Sequence, residues 1–218
     1  MTTRAVTRLL ASQDPLARYL AQCRVRNSLA ESADVHVPPT ADEARQVISY
    51  LQKSGVDAAV IGSVGVLHHL RGTPEAETFR PTVDLDVFVK APFQRLQHLR
   101  PPPSWRVDRE SPGVVSWISP TGGYVDFLAA GQTFPSGERV PSQVQVHPGS
   151  AASSDLPIAS VRDLFKLKLN SMRAKDLTDL ISLAKAQGRA PTPAELGPLN
   201  ATQKENLGLI NQWLALRA

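Results

Sequence analysis

The chain has 218 residues, 42% of them hydrophobic and 20% charged, enough to bury a real core in one compact domain or in a catalytic domain with a helical appendage. Its single cysteine, Cys23, excludes an intramolecular disulfide and a cysteine-rich metal site, and a reducing cytoplasm is the expected setting. A net charge of +4 and an isoelectric point near 9.5 suit an anionic partner such as a triphosphate or RNA, although Lys and Arg are scattered and form no dense basic tract.

The first stretch, MTTRAVTRLLASQDP, lacks the apolar core of a signal peptide, and no run of about 18 apolar residues is present to span a bilayer, so no membrane association is expected. Residues 4–24 place Leu9, Leu10, Leu16 and Leu20 at helical spacing, with Pro15 expected to break or kink the run. The polar stretch from Asn27 to Pro39 ends in Pro38-Pro39 and reads as an extended connector. Thr40-Ala41-Asp42-Glu43 has the form of a capping box, a hydroxyl with a Glu three residues on, ahead of Ala44, Val47, Ile48 and Leu51. A helix to about Ser54 follows. Asp57 to Ile61 reads as a short buried strand that runs into Gly62-Ser63 and a helix over Val64–Leu70, an order of elements that binds anions.

Residues 72–82 read as a loop, and Val83–Val89 (VDLDVFV) alternates with the period of a strand. A short helix is predicted over Pro92–Leu99, then a stiff Pro101-Pro102-Pro103 turn before Trp105–Glu110. Val114–Ile118 and Tyr124–Ala129 flank Ser119-Pro120-Thr121-Gly122-Gly123 as a hairpin. Residues 131–157 read as a loop with a brief strand at Val144–His147. Helices are predicted from Ser160 through Met172, over Ala174–Gln187, from Thr192 onward and over 201–217. The pattern is α+β, a mixed central sheet flanked by helices. Residues 1–39 form a helical segment and linker, 40–150 the core, and 151–218 a helical region.

Side chains alternate across a strand, so Asp84 and Asp86 share one face while Val83, Leu85 and Val87 turn towards the core. Two carboxylates side by side on a largely buried strand are costly unless a cation neutralises them, and hard oxygen ligands suit Mg²⁺. Asp126 is a lone charge in the apolar stretch Tyr124-Val125-Asp126-Phe127-Leu128, and a neighbouring strand could bring it beside the pair. Three converging carboxylates are the geometry that phosphoryl and nucleotidyl transfer require, with two metal ions about 4 Å apart. The Gly62-Ser63 turn would add backbone N–H groups and a hydroxyl for phosphates. His68, His69 and the tryptophans Trp105, Trp117 and Trp213 are weaker candidates, read first as packing or surface residues, and Arg71, like Arg80, flanks the site loop where it could touch triphosphate or RNA phosphate.

Gly62-Ser63, then Arg80-Pro81-Thr82-Val83-Asp84-Leu85-Asp86, then Asp126 resembles the polymerase-beta-type nucleotidyltransferase superfamily, whose pattern is a GG or GS turn, a D-x-D strand and a later single Asp. Within it the stretch R-x-T-x-D-x-D, with the later Ser160-Val161-Arg162-Asp163-Leu164-Phe165-Lys166-Leu167-Lys168 and Arg173-Ala174-Lys175-Asp176-Leu177-Thr178-Asp179-Leu180, is similar to the AbiEii and MenT toxin-like nucleotidyltransferases and their uncharacterised bacterial relatives.

The resemblance spans about residues 44–187 and implies a nucleotidyltransferase fold using an NTP and Mg²⁺, with two ions held by Asp84, Asp86 and Asp126. It further implies Gly62, Ser63, Arg80, Thr82 and Lys168 as nucleotide contacts, and Asp176 as the residue that positions Lys168 or the acceptor. Asp179 is a secondary candidate, and Lys166 remains a rival for Lys168. The implied acceptor is a hydroxyl on tRNA or another RNA, or on a protein, and a neutralising antitoxin is an implied partner. A small-molecule (antibiotic) nucleotidyltransferase, or a non-catalytic nucleotide- or partner-binding module on the same scaffold, stands as the alternative. Two departures from the pattern are a lengthened stretch at 72–79 and Gly65 where relatives often carry Ala.

Overall fold

A computed structural model describes residues 14–29, 36–108, 113–135, 137–148 and 156–216. Its elements in chain order are α1 (Pro15–Ser28), α2 (Ala41–Lys53), β1 (Ala58–Val60), α3 (Gly62–Leu70), α4 (Pro74–Glu77), β2 (Asp84–Val89), α5 (Phe93–His98), β3 (Arg106–Asp108), β4 (Val115–Ile118), β5 (Tyr124–Ala129), α6 (Val161–Ser171), α7 (Ala174–Ala186), α8 (Pro193–Leu196) and α9 (Ala201–Ala215).

Several expectations meet their physical reasons here. Pro15 opens α1 rather than breaking it: it occupies the first helical turn, where no N–H is needed, and the Asp14 side chain accepts from Leu16 N–H at 2.9 Å. The expected helical stretch before it lies outside the described residues. The capping box at Thr40 and Glu43 forms with both reciprocal bonds. The loop expected over 72–82 contains the single turn α4, and Val144–His147 contributes one bridge, Val146 to Ala159, instead of a strand. Val83, expected to face the core, lies outside β2 and is exposed.

The five strands run in the order β1-β2-β5-β4-β3. β4 and β5 form the expected antiparallel hairpin, β1 pairs antiparallel with β2, and β2 pairs with β5 in parallel. On one face of the sheet Leu85, Val87, Val125, Phe127 and Trp117 pack against Leu20 of α1 and Val47, Ile48 and Leu51 of α2. On the other face Phe88 and Leu128 meet Leu164, Phe165 and Leu169 of α6 and Leu180 and Leu183 of α7, with α9 behind them. β2 is therefore covered on both sides at its Phe88 end, while its Asp84 end emerges beyond the cover of α6 and α7.

The hairpin turn is clamped from two helices. Glu43, besides capping α2, accepts from the Thr121 N–H at 3.1 Å and the Thr121 hydroxyl at 2.8 Å. Arg24 of α1 donates to the Pro38 carbonyl at 2.5 Å and the Thr121 carbonyl at 2.8 Å. The Pro38-Pro39 connector crosses so closely that a Cβ on Gly123 would lie 2.3 Å from Pro39 Cα, a backbone atom that cannot move aside.

Gly123→Ala is expected to destabilise the fold by at least about 2 kcal/mol, as a steric overlap inside a packed junction. Gly122, at φ +81 with open space around it, is expected to cost only about 1 kcal/mol as Ala. Urea denaturation of the two variants measures the difference; equal losses would show that the Pro39 crossing is not rigid.

Candidate active site

Asp84, Asp86 and Asp126 converge because of one register. The parallel β2–β5 pairing sets Asp86 directly opposite Asp126 and Asp84 opposite Tyr124, all on the same face of the sheet. One carboxylate oxygen from each Asp lies within 4.8 Å of the others. That spacing fits a hard cation that takes oxygen ligands at about 2.0–2.6 Å, so the residues present match Mg²⁺ or a related ion. Burial, with Asp84 and Asp126 adding their negative charge, pushes Asp86 up to about 7. Burial also raises Asp126, partly offset by the Ser116 hydroxyl, which donates to its Oδ1 at 2.6 Å. Thr82 is buried, and its hydroxyl donates to Asp84 Oδ1 at 3.0 Å; it lies under the carboxylate rather than in the cleft.

Gly62 begins α3 immediately after β1, at φ +60. A Cβ there would sit 1.9 Å from Asp86 Oδ2, so the missing side chain is what lets the carboxylate lie over the turn. The first N–H groups of α3 have no intrahelical partner, and Gly62 and Ser63 line the cleft. The Ser63 hydroxyl is already engaged, accepting from Arg80 Nη2 at 2.6 Å. Gly65 is explained by packing: a Cβ would come within 3.2 Å of Leu164 Cδ2 and of the Val60 carbonyl.

The cationic side of the site is a single network. Arg80 grips Asp179 with two bonds, Nε to Oδ1 at 2.9 Å and Nη2 to Oδ2 at 2.7 Å. Lys168 Nζ lies 2.6 Å from Asp179 Oδ2 and 3.1 Å from Asp176 Oδ1. Asp176 also accepts from Arg173 Nε and the Ser171 hydroxyl, each at 2.7 Å. Burial opposes the ionised form, but Arg173 and Lys168 hold Asp176 down at about 2. Asp179 has no exposed side-chain surface, so its carboxylate is wholly dependent on Arg80 and Lys168.

These residues surround a cleft of about 500 Å³ lined by Gly62, Ser63, Arg80, Asp86, Asp126, Lys168, Arg173, Lys175 and Asp176 among others. Lys168 lines it and Lys166 does not, which separates the two rivals by position. The register that puts Ser116 against Asp126 follows by counting outward from the Ile118–Tyr124 closing pair of the hairpin, although nothing about Ser116 itself marks it in the sequence. No sequence signal gives Arg173 a role, and the central place of Asp179 has no local sequence signal. His68, His69 and Arg71 do not line the cleft; the two histidines gather with His147 at the far end of α3, with ring centroids 5.0–6.1 Å apart. Trp105 and Trp117 are buried in the core.

No protein-family profile matches the chain, and no curated protein matches it by sequence. Among solved structures it is similar to an antigenic nucleotidyltransferase-like protein from Paracoccidioides brasiliensis, at 15% identity and a TM-score of 0.51, over 81% of this chain and 89% of that one. A second similar structure is the antibiotic-resistance factor ANT(2'')-Ia, at 11% identity and a TM-score of 0.44, over 81% of this chain and 91% of that one. The first likeness shows a shared fold: the chain has the α+β nucleotidyltransferase fold. Among the described residues no helix is long and apolar enough to cross a membrane.

Two outcomes follow from the charges. Asp179→Ala leaves Arg80 and Lys168 without their shared carboxylate and is expected to cost about 3–5 kcal/mol in urea denaturation; a loss below about 1 kcal/mol would mean the network is not structural. The raised pKa of Asp86 means that, without a divalent cation, its ionisation erodes stability as pH rises from about 4 to about 7. Asp86→Asn is therefore expected to melt roughly 10 °C above the metal-free wild type at pH 8 and to match it near pH 4. Added Mg²⁺ should raise the wild-type melting temperature and leave that of the variant unchanged, as read by differential scanning calorimetry.

Proposed function

We propose that the chain is an Mg²⁺-dependent nucleotidyltransferase that moves a nucleoside monophosphate from an NTP to a hydroxyl acceptor. The observation that carries this reading is three converging carboxylates, two of which, Asp86 and Asp126, line one cleft with an open helix N-terminus and the buried Lys168. In the reaction the acceptor oxygen bonds to the α-phosphorus, the bond from that phosphorus to the bridging oxygen of the pyrophosphate breaks, and the hydroxyl proton passes by way of Asp126 to solvent water.

Each group in the cleft has a task suited to its chemistry. Asp84, Asp86 and Asp126 are the ligands for Mg²⁺, which supplies charge neutralisation and a lowered pKa at the attacking hydroxyl. The N–H groups at the start of α3 donate to phosphate oxygens. Lys168, fixed by Asp176 and Asp179, presents an ammonium to the departing pyrophosphate, and Arg173 at the cleft wall adds a second cation. Arg80 acts mainly by holding Asp179 and Ser63 in place, and Thr82 by orienting Asp84. The R-x-T-x-D-x-D stretch and the late Lys/Asp helices support a place among toxin-like nucleotidyltransferases of the AbiEii and MenT kind, with RNA or protein as acceptor and a neutralising antitoxin as partner.

The test is incubation of purified protein with Mg²⁺, total RNA and each α-³²P-labelled NTP in turn, resolved on denaturing gels. Wild type is expected to label one class of macromolecule with one preferred NTP. Asp84→Ala and Asp86→Ala are expected to abolish labelling while retaining cooperative unfolding, and Lys168→Met to lower kcat by about 10²–10³. Wild-type turnover in either Asp variant would remove the metal-site assignment.

A further inference from the structure

His36 is exposed, and its ring lies flat on that of Tyr124, with centroids 3.6 Å apart and an interplanar angle of 5°. The pair is held from its backbone: Asn27 Nδ2 donates to the His36 carbonyl at 3.3 Å, and Tyr124 N–H donates to the Val37 carbonyl at 2.9 Å. Tyr124 is the strand neighbour of Asp84 across the β2–β5 pairing and lies two residues before Asp126 on the same face. The stack therefore borders the carboxylates, and neither ring lines the cleft on the Gly62 and Lys168 side.

We propose that His36 and Tyr124 form a stacking platform for a nucleobase of a single-stranded RNA acceptor, with Arg106 receiving the phosphate of the neighbouring nucleotide. This rests on the nucleotidyl-transfer reading and names the acceptor within it. One face of the imidazole is covered by Tyr124 and the ring remains exposed, which is the form of a platform for a planar ring; bases of unpaired RNA stack on aromatic and histidine side chains in this way. Arg106 stands in the same row across the sheet, through Ile118, two strand spacings or about 10 Å from Tyr124, and it is exposed. An aromatic surface followed by a guanidinium matches the alternation of base and phosphate along a strand of RNA. A triphosphate held at the Gly62 turn and an acceptor stacked on His36 then reach the carboxylates from opposite sides. The net charge of +4 adds long-range attraction for the same class of partner.

The experiment is a fluorescence-anisotropy titration of the full chain with a fluorescein-labelled single-stranded RNA decamer, in Mg²⁺ and without NTP, run beside Mg·ATP binding by calorimetry. His36→Ala is expected to weaken RNA binding by about 5- to 100-fold and to leave ATP binding unchanged. His36→Trp, which restores a stacking face, is expected to recover it, and Arg106→Ala to weaken binding and lower the salt slope by about one. In labelling assays His36→Ala should raise the KM for RNA and not that for NTP. Unchanged RNA affinity in His36→Ala, or no RNA binding by wild type, overturns the proposal. Equal loss of ATP binding overturns it by assigning the platform to the base of the NTP. Transfer of label to protein alone, with RNA unbound, sinks the RNA platform and leaves nucleotidyl transfer standing. RNA binding that depends on His36 but comes with no labelling of any acceptor defeats the acceptor assignment together with the transfer reaction.

Discussion

The parallel register of β2 and β5 is the constraint on which the rest of the site turns. It sets Asp86 opposite Asp126 at the end of the sheet that α6 and α7 leave open, and so concentrates like charge where burial already penalises it. A hydrogen-bonding serine on β4 and a threonine before β2 relieve this only in part, because each can satisfy one oxygen of one carboxylate. The remaining repulsion is what a hard cation held by these carboxylates would neutralise. A fold built for stability alone would have placed neutral side chains at these register positions.

The opposite charge is supplied by the second structural half, and the two are joined through Asp179. That carboxylate, wholly buried on α7, takes Arg80 from the segment before β2 and Lys168 from α6. Arg80 in turn reaches Ser63 on α3. The segment before β2, the consecutive helices α6 and α7 and, through Arg80, α3 are thus locked to one another by a single acidic residue, and the ammonium of Lys168 is held in one rotamer. Pre-organised charge of this kind stabilises a transition state more than a flexible lysine could, since no reorganisation is needed at the moment of reaction.

Much of this was legible in the sequence where the signal is local. The capping box at Thr40, the alternation of VDLDVFV, the hairpin around Gly122-Gly123 and the helices after Ser160 depend on spacing within a few residues, and each is found in the structure within a residue or two. What was not legible depends on approach between distant segments. Nothing near Gly62 says that Asp86 will lie against its Cα, nothing near Ser63 says that Arg80 will occupy its hydroxyl, and Asp176 and Asp179 look alike on the sequence of one amphipathic helix. Lys166 and Lys168 are likewise distinguished only by the way α6 packs, with the backbone carbonyl of Lys166 accepting from Gln203 while Lys168 turns towards α7.

The two sides of the carboxylates are unlike in a way that bears on direction of attack. On the Gly62 side the surface is built from N–H groups, Lys168 and Arg173, which is chemistry for polyanionic phosphate. On the Tyr124 side it is a flat aromatic pair with a single arginine further along the sheet, which is chemistry for ring and isolated charge. In-line displacement needs the entering oxygen and the departing pyrophosphate on opposite sides of the α-phosphorus. On the proposed reading the anchoring groups for pyrophosphate lie on the first side, and the acceptor would come from the second. In that reading the asymmetry between the two walls, rather than the carboxylates they share, would set the polarity of transfer.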